Sequence, residues 1–265
     1  MEQSAAADRL FGLVQESRPN GLLTDIDGTI SRIAGHPDDA VVEPTVRQAL
    51  EGLSQEMTLV GAVSGRSAAD AHRIVGIDSM VYSGNHGMEL WRNNRLEQSP
   101  LAQRYSPHIA EVLERLVIPR RVDGIYVENK GLTASIHYRN VADQERVEAE
   151  LLEEVTEQAA ASGLRVTRGK MVIEIRPPVD LSKGTAVLEL IKEYKLAGLL
   201  YLGDDVTDVD AFQALHDMRR DRGGHFYSIG VRSNRTPPEI TEAADAMVPG
   251  VDGVLALLER SLSRG

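Results

Sequence analysis

Short apolar runs alternate with segments of helical spacing in the first and last thirds of the chain. The runs have the length of strands, and the segments between them carry an apolar residue every three or four positions. The pattern predicts strands at 21–27, 57–63, 80–83, 198–202 and 226–231, and helices at 44–55, 67–75, 183–194, 208–215 and 251–262. Leu10, Phe11, Leu13 and Val14 indicate a further short helix near the start. Strand–helix alternation of this kind predicts a parallel sheet with helices on both faces.

The middle of the chain follows a different order of elements. Helical spacing at 107–116 and 142–161 separates two strand pairs, 125–128 with 132–138 and 165–168 with 171–176. Helix, two strands, helix, two strands is typical of an α+β unit with an antiparallel sheet. The sequence therefore predicts an α/β protein: a Rossmann-like parallel core formed by 1–103 and 179–265, with an inserted α+β cap at 104–178.

The composition is that of a globular protein with an excess of acid. Hydrophobic residues make up 42% and charged residues 26%, and the formal net charge is −11. This excess argues against nucleic acid as a partner, because its phosphates would be repelled. No apolar stretch approaches the roughly 20 residues of a membrane-spanning helix, and residues 1–20 lack the pattern of a signal peptide. We therefore expect a cytoplasmic protein that does not bind membranes. The oligomeric state is open, and a monomer is the simplest expectation.

The residue types also limit the metal chemistry. The chain contains no cysteine, which excludes thiolate metal sites and thiol nucleophiles. The seven histidines show no close metal-ligand spacing. A bound metal would therefore be a hard cation held by carboxylates.

Two acids end the first predicted strand. Asp25 and Asp27 stand at its carboxyl end, which is the edge where open α/β sheets bind ligands. On an extended chain, acids two residues apart point the same way, and they would repel each other without a cation or a proton between them. Gly28 permits a sharp turn, and Thr29 offers a hydroxyl and a backbone N–H to an anion.

A second acidic group follows the strand at 198–202. Asp204, Asp205 and Asp208 stand at its carboxyl end. If both strands lie near the sheet centre, Asp25, Asp27, Asp204 and Asp208 should converge on one point. An all-oxygen site of this kind suits Mg²⁺. The segment 64–66 (Ser-Gly-Arg) ends the second strand, and Lys183 opens a helix whose positive N-terminus favours anions.

Taken in chain order, the four segments at 25–29, 64–66, 183 and 204–208 resemble the motifs of the haloacid dehalogenase superfamily of phosphotransferases. Within it, the chain is similar to the trehalose-6-phosphate phosphatase family. The similarity is carried by the segments 25–29, 63–67, 85–89, 137–139, 174–177 and 203–212.

The resemblance implies a Mg²⁺-dependent phosphatase that acts on a small sugar phosphate. Asp25 would be the nucleophile that forms an acyl-phosphate, and Asp27 the general acid and base. Asp25, the backbone carbonyl of Asp27 and Asp204 would hold the metal. Asp205 and Asp208 would act there directly or through water.

The resemblance also implies groups for phosphate and sugar. Phosphate would be bound by Thr29, Ser64, Gly65 and Lys183. The remaining substrate contacts would come from Arg66, His86, Gly87, Lys130, Arg139, Lys170 and Glu174. The last four belong to a locally basic part of the chain, since 120–139 and 165–176 together hold eight Lys or Arg and three Asp or Glu.

Three alternatives stay open. The substrate could be another sugar phosphate, such as that of sucrose, glucosylglycerol or mannosylglycerate. A phosphomutase shares the same motifs. A non-catalytic subunit of a disaccharide-synthesis complex is the third, and the complete set of acids argues against it.

Overall fold

The computed structural model of the protein describes residues 2–234 and 236–263, with the backbone alone for residues 2–4. The chain separates into two compact units. The core unit comprises Met1–Glu97 and Leu181–Gly265, and the inserted unit comprises Gln98–Asp180. No helix among the described residues is both long and apolar enough to cross a membrane.

The strands fall into two sheets. In chain order they are β1 Asn20–Thr24, β2 Leu59–Val63, β3 Val81–Gly84, β4 Glu89–Arg92, β5 Arg95–Gln98, β6 Tyr126–Asn129, β7 Ala134–His137, β8 Arg165–Gly169, β9 Val172–Arg176, β10 Gly198–Gly203, β11 His225–Arg232 and β12 Ala246–Pro249. The α-helices are α1 Glu2–Glu16, α2 Pro44–Glu56, α3 Ala68–Val75, α4 Pro100–Gln103, α5 Ser106–Arg115, α6 Gln144–Ala161, α7 Lys183–Glu193, α8 Val206–Arg222, α9 Pro238–Ala243 and α10 Gly250–Leu262.

The core unit is built on a sheet of order β12-β11-β10-β1-β2-β3-β4-β5. The strands from β12 to β3 pair in parallel, and β4 pairs antiparallel with β3. The predicted α/β class with an antiparallel second sheet is confirmed. The sequence pattern did not predict β12, because four residues ending in Pro249 are too short to show a period.

Both faces of the core sheet are covered. Leu22 packs on one face with α1, α2 and α10, whereas its neighbour Leu23 packs on the other with α7 and α8. Fully burying a side chain of this size stabilises the fold by about 1.5–3 kcal/mol. Burial on both faces explains why the parallel strands are continuous apolar runs and not alternating ones.

The inserted unit contains a four-stranded antiparallel sheet of order β6-β7-β9-β8. One face packs on α5 and α6 through alternating residues such as Ile136 and Ile173. Ser135 and His137 flank Ile136 along β7, and Glu174 follows Ile173 along β9, so these three residues lie on the other face. This sheet therefore has one apolar and one polar face, as is usual when only one side meets a core.

Candidate active site

The order of the core strands places the two acidic segments side by side. β1 and β10 are neighbours at the centre of the sheet, and the backbone N–H of Asp25 donates to the Leu202 carbonyl at 2.8 Å. Gly28 turns the chain with φ +91°, and a Cβ there would lie only 2.3 Å from Oδ2 of Asp204. A glycine is therefore needed both for the turn and for the close approach of the Asp204 carboxylate.

A buried ion-pair chain joins these acids to α7. The helix begins after Ser182, whose side chain accepts from the Thr185 N–H, and this cap places Lys183 in the first turn. Lys183 Nζ lies 2.8 Å from Asp25 Oδ1 and 2.7 Å from Asp208 Oδ1. All three residues are buried. A charge buried this deeply requires such partners.

Each oxygen of the Asp208 carboxylate accepts two hydrogen bonds. Its Oδ1 accepts from Lys183 and from the Tyr201 hydroxyl at 2.8 Å. Its Oδ2 accepts from the backbone N–H groups of Asp204 and Asp205, each at 3.0 Å. Asp208 thus fixes Lys183 and the start of α8, and Tyr201 is the member of this network that sequence reasoning missed. A tyrosine inside an apolar strand signals only that its hydroxyl needs a partner.

The electrostatics of the site depend on this burial. Burial raises the pKa of Asp25 well above its ordinary value, Lys183 opposes the rise, and the carboxylates of Asp208 and Asp204 add to it. Burial alone would lower the pKa of Lys183, but Asp208 and Asp25 outweigh it and raise that pKa. The carboxylates of Asp25, Asp204 and Asp208 therefore carry more negative charge than Lys183 alone balances.

Asp25 and Asp27 have different partners. β1 ends at Thr24, so both acids follow the strand. Asp25 is buried, whereas the Asp27 side chain is 37% exposed. Both Asp27 oxygens accept from Arg66, with Nε at 2.6 Å and Nη2 at 2.8 Å. Arg66 was expected to contact substrate, and the structure places its guanidinium on Asp27.

Two of the predicted phosphate ligands, Thr29 and Ser64, follow the neighbouring strands β1 and β2. Thr29 is buried, and its Oγ1 has no hydrogen-bond partner among the described residues. Its backbone N–H, which was expected to be available to an anion, donates instead to the Ile26 carbonyl at 3.3 Å. Ser64 is buried at the end of β2, and its Oγ accepts from the Arg66 N–H at 3.2 Å.

His86 and Gly87 lie in a tight turn against the Ser64 segment. Asn85, His86 and Gly87 have φ values of 49°, 56° and 95°, so three successive residues are left-handed. The N–H of His86 donates to the Ser64 carbonyl at 3.0 Å, and a Cβ at Gly65 would lie 2.8 Å from Nε2 of His86. The strain of such a turn, on the order of 1 kcal/mol per non-glycine residue, persists only where the surroundings fix it.

Three carboxylates lie close enough together to hold a metal, and that of Asp208 already accepts four hydrogen bonds, which leaves Asp25 and Asp204 as the better ligands. Asp25, Asp204 and Asp208 each present an oxygen, and these oxygens lie within 4.8 Å of one another. The carboxylate of Asp205, which was also expected at the metal, is not in this group. Asp27 was expected to contribute its backbone carbonyl, so its carboxylate has no part in the group. A hard divalent cation fits an all-oxygen set of this kind, and it would offset the charge that raises the pKa of Asp25.

A family model described as trehalose-phosphatase matches residues 23–241. The match includes both units and all the residues of the site described above. The chain belongs to the trehalose-phosphatase family.

Curated relatives carry the same description. The trehalose-phosphate phosphatase of Mycobacterium marinum is 35% identical over 248 residues, which is 87% of this chain and 60% of that protein. Probable trehalose-phosphate phosphatase G of Arabidopsis thaliana is 29% identical over 256 residues, 84% of this chain and 67% of that protein. The chain thus spans about two thirds or less of the length of these members of the trehalose-phosphatase family.

Solved structures show the same fold. The C-terminal domain of Candida albicans trehalose-6-phosphate phosphatase has a TM-score of 0.79 at 22% identity, covering 97% of this chain and 96% of that one. A trehalose-6-phosphate phosphatase related protein has a TM-score of 0.77 at 22% identity, covering 93% and 98%. At this identity the likeness bears on the fold alone.

The trehalose-phosphatase resemblance also pointed to four residues of the inserted unit, and the structure divides them into two pairs. Lys130 Nζ lies 3.7 Å from Glu174 Oε1, next to Ser135 on the polar face. Arg139 donates to the Lys170 carbonyl at 3.3 Å. Since His137 pairs with Val172, this second pair lies toward the other end of β7.

Glu128 is a further polar-face residue that the sequence analysis did not name. Its Oε2 lies 3.8 Å from Lys130 Nζ and 3.1 Å from Nε2 of His137. The sequence did contain a signal for Glu128. It stands two residues before Lys130, at the end of a half-buried strand, and alternation places residues two apart on the same face.

Proposed function

We propose that this chain is a Mg²⁺-dependent phosphatase that hydrolyses trehalose 6-phosphate through a phospho-aspartate on Asp25. The observation that carries the proposal is the buried Asp25 carboxylate beside Asp204 and within 2.8 Å of Lys183. A carboxylate nucleophile needs a cation-lined, water-poor place for a dianionic phosphate, and this edge of the core sheet provides the groups for one.

In the first step an Asp25 oxygen attacks phosphorus, and the bond from phosphorus to the sugar oxygen breaks. The electron pair leaves with that oxygen, which takes a proton from Asp27 and departs as the free sugar. The product on the protein is an acyl-phosphate on Asp25. Asp27 suits this proton transfer because its side chain is 37% exposed, whereas Asp25 is buried.

In the second step Asp27, now a carboxylate, takes a proton from water. The oxygen of that water attacks phosphorus, and the bond between phosphorus and Asp25 breaks. Phosphate leaves, and the Asp25 carboxylate and the protonated Asp27 are restored. One side chain therefore serves as acid and then as base.

The other residues hold the reacting groups. Lys183 would contact a phosphate oxygen beside Asp25, and Asp208 keeps its ammonium in place through the 2.7 Å contact. The buried hydroxyl of Thr29, which has no partner among the described residues, and that of Ser64 would donate to further phosphate oxygens. Asp25, Asp204 and the Asp27 carbonyl would hold Mg²⁺, which supplies charge neutralisation to the phosphoryl group when bound. Asp208 acts indirectly, since four donors already occupy its carboxylate.

The inserted unit would provide specificity for the sugar. Its polar face carries Glu128, Lys130 and Glu174, and charged groups of both signs suit the many hydroxyls of a disaccharide. A site built to hydrogen-bond hydroxyls rejects substrates that lack them. The names of the curated relatives favour trehalose 6-phosphate among the sugar phosphates.

Phosphate release from trehalose 6-phosphate tests the reaction. We expect turnover with Mg²⁺, none in excess chelator, and none for Asp25→Asn, in which an amide cannot attack phosphorus. Acid quenching should trap a phosphorylated native protein and no phosphorylated Asp25→Asn. Full activity of Asp25→Asn would remove the mechanism, and preference for another sugar phosphate would remove the substrate assignment alone.

A second experiment separates recognition from chemistry. Glu174→Ala and Lys130→Ala should lower kcat/KM for trehalose 6-phosphate much more than for 4-nitrophenyl phosphate, which has no sugar. Glu150→Ala is the matched control, because Glu150 pairs with Arg146 on the exposed side of α6. Equal losses on both substrates would show that Glu174 and Lys130 do not recognise the sugar.

A further inference from the structure

Arg66 is a buried cation whose donors are used by the protein itself. Its side chain is 9% exposed, so its charge must be matched from within. Nε and Nη2 donate to the two oxygens of Asp27 at 2.6 Å and 2.8 Å. Nη1 donates to Asp70 Oδ2 at 2.7 Å, and Nη2 also reaches the Pro37 carbonyl at 3.0 Å. The guanidinium is thus committed to protein groups on three segments of the core unit.

The contact with Asp27 has the geometry of a forked pair. Two nearly parallel N–H bonds to one carboxylate fix the plane of that carboxylate as well as its distance. A lysine provides a single point of charge and cannot do this. Arg66 therefore determines which way the Asp27 carboxylate faces.

Asp70 and the backbone hold Arg66 in turn. Asp70 lies in the first turn of α3, where its N–H donates to the Ser67 side chain at 3.2 Å. The backbone of Arg66 is fixed at both ends, because its N–H donates to Ser64 Oγ and its carbonyl accepts from the Asn85 N–H at 2.6 Å. Arg66 therefore links α3, through Asp70, to the segment after β1, through Asp27, and its own position is fixed by hydrogen bonds.

Asp27 needs such support more than Asp25 does. Its side chain is 37% exposed, whereas Asp25 is buried, so packing limits the rotation of Asp27 less than that of Asp25. Each oxygen accepts one bond from Arg66 and keeps a second lone pair for a proton or a water molecule. Fixing a catalytic group in advance lowers the barrier, and small misplacements are costly.

We propose that Arg66, anchored by Asp70, is a positioning residue that orients Asp27 for both proton transfers. The proposal rests on the proposed function, in which Asp27 is the general acid and base. It assigns Arg66 no contact with the sugar or the phosphate.

The test is the dependence of the rate on the leaving group. A sugar alkoxide needs a proton from Asp27 to leave, whereas 4-nitrophenolate leaves without one. The value of kcat/KM reports the steps up to phosphorylation of Asp25, so it isolates the acid role. We expect Arg66→Ala to lose about 100-fold on trehalose 6-phosphate and no more than about 10-fold on 4-nitrophenyl phosphate, in line with the usual worth of a general acid. Arg66→Lys should recover only part of the loss.

The base role gives a second readout. With 4-nitrophenyl phosphate, Arg66→Ala should release a burst of 4-nitrophenol and accumulate phosphorylated Asp25, because attack by water is slowed. Asp70→Asn should show both effects in weaker form while retaining Arg66. If Arg66 only stabilised the fold, its substitution would lower kcat/KM for both substrates in parallel and would give no burst.

Two controls separate the possible failures. Arg73→Ala removes another arginine that binds Asp70, at 2.5 Å from Oδ1. Arg73 is 57% exposed, and its side-chain hydrogen bonds go to Asp70. The variant should keep the native ratio of the kcat/KM values for the two substrates. Asp27→Asn should show the same selective loss as Arg66→Ala. If Asp27→Asn lacks that selectivity, the acid and base assignment of the proposed function fails. If Asp27→Asn shows it and Arg66→Ala does not, the positioning role of Arg66 is overturned alone.

Discussion

Asp25 and Asp245 are both buried or half-buried aspartates of the core unit, and each has a basic side chain within hydrogen-bond distance. Asp25 meets Lys183 at 2.8 Å, and Asp245 accepts from Arg219 at 2.8 Å. Burial tends to raise the pKa of both carboxyls. For Asp25 burial prevails and the pKa rises, whereas for Asp245 the hydrogen bonds from Arg219 and the Ser228 N–H prevail and the pKa falls.

The difference lies in how each cation and each donor is shared. Lys183 divides its charge between Asp25 and Asp208, and Asp204 adds a third carboxylate nearby. Arg219 pairs with no carboxylate other than Asp245 among the described residues, its Nη1 donating to the Phe226 carbonyl. Asp245 also accepts from both the N–H and the hydroxyl of Ser228. Asp245 is therefore built for stability, and the Asp25 cluster retains unbalanced charge of the kind that a metal and a reaction can use.

Removing the basic partner of each aspartate should give the largest difference in unfolding free energy between the two sites. Lys183→Met leaves two buried carboxylates without their shared partner, and we expect it to cost about 3–5 kcal/mol of unfolding free energy and to abolish turnover. Arg219→Met breaks a pair that is 32% exposed on the arginine side, and it should cost only about 1–2 kcal/mol. Urea unfolding in chelator measures both. Equal losses would mean that the two pairs do not differ.

Neutralising the acids should change stability in opposite directions. In chelator, Asp25→Asn removes a charge that burial disfavours, so its melting temperature should rise by about 2–4 °C for each kcal/mol gained. Asp245→Asn should lower the melting temperature, because an ionised acceptor of Arg219 is lost.

Mg²⁺ provides the control for this pair of variants. A ligand that binds only the folded state stabilises it. Mg²⁺ should therefore raise the melting temperature of the native protein and of Asp245→Asn, and raise that of Asp25→Asn much less. A drop in the melting temperature of Asp25→Asn in chelator would show that its carboxylate stabilises the fold.

The pH dependence of stability sharpens the same comparison. The folded pKa of Asp245 lies below the ordinary value of 3.8, so between the two values the unfolded chain binds more protons. The stability that Asp245 contributes is thus complete above about pH 5 and disappears as the pH falls through the folded pKa. The difference in unfolding free energy between the native protein and Asp245→Asn should shrink over that range. A constant difference down to about pH 2.5 would contradict the shift in the pKa of Asp245.

Sequence reasoning went furthest where position in a sheet decides contact. Asp25 and Asp204 could be brought together from the sequence, because both end apolar strands and the carboxyl ends of central parallel strands meet at one edge. Lys183 was expected at a helix start from the helical spacing at 183–194, and α7 begins there. These predictions need only the period and the ends of elements.

Sequence reasoning could not predict the contacts that depend on side-chain direction. Nothing in the sequence near Arg66 indicates that its guanidinium turns to Asp27 and Asp70, since that depends on rotamers packed between β1 and α3. Likewise Lys130 with Glu174 and Arg139 with Lys170 separate into two pairs only through the register of β7 with β9. Register and rotamer are tertiary properties, and a single sequence carries little of either.

Tyr201→Phe should give the smallest effect and the finest test of how the Asp25 cluster is held. Burial and the neighbouring Asp208 raise the pKa of the Tyr201 hydroxyl, so it stays protonated and donates to Asp208 at 2.8 Å. The substitution keeps the ring and removes one of four donors, so we expect a loss of about 1 kcal/mol in unfolding free energy. Turnover should fall a few-fold, because Asp208 holds Lys183 less firmly. Tyr227→Phe is the matched control, since its hydroxyl makes only a 3.5 Å contact with His225 and should matter little. If the two variants behave alike, the hydroxyl of Tyr201 does not support Asp208, and the three remaining donors suffice.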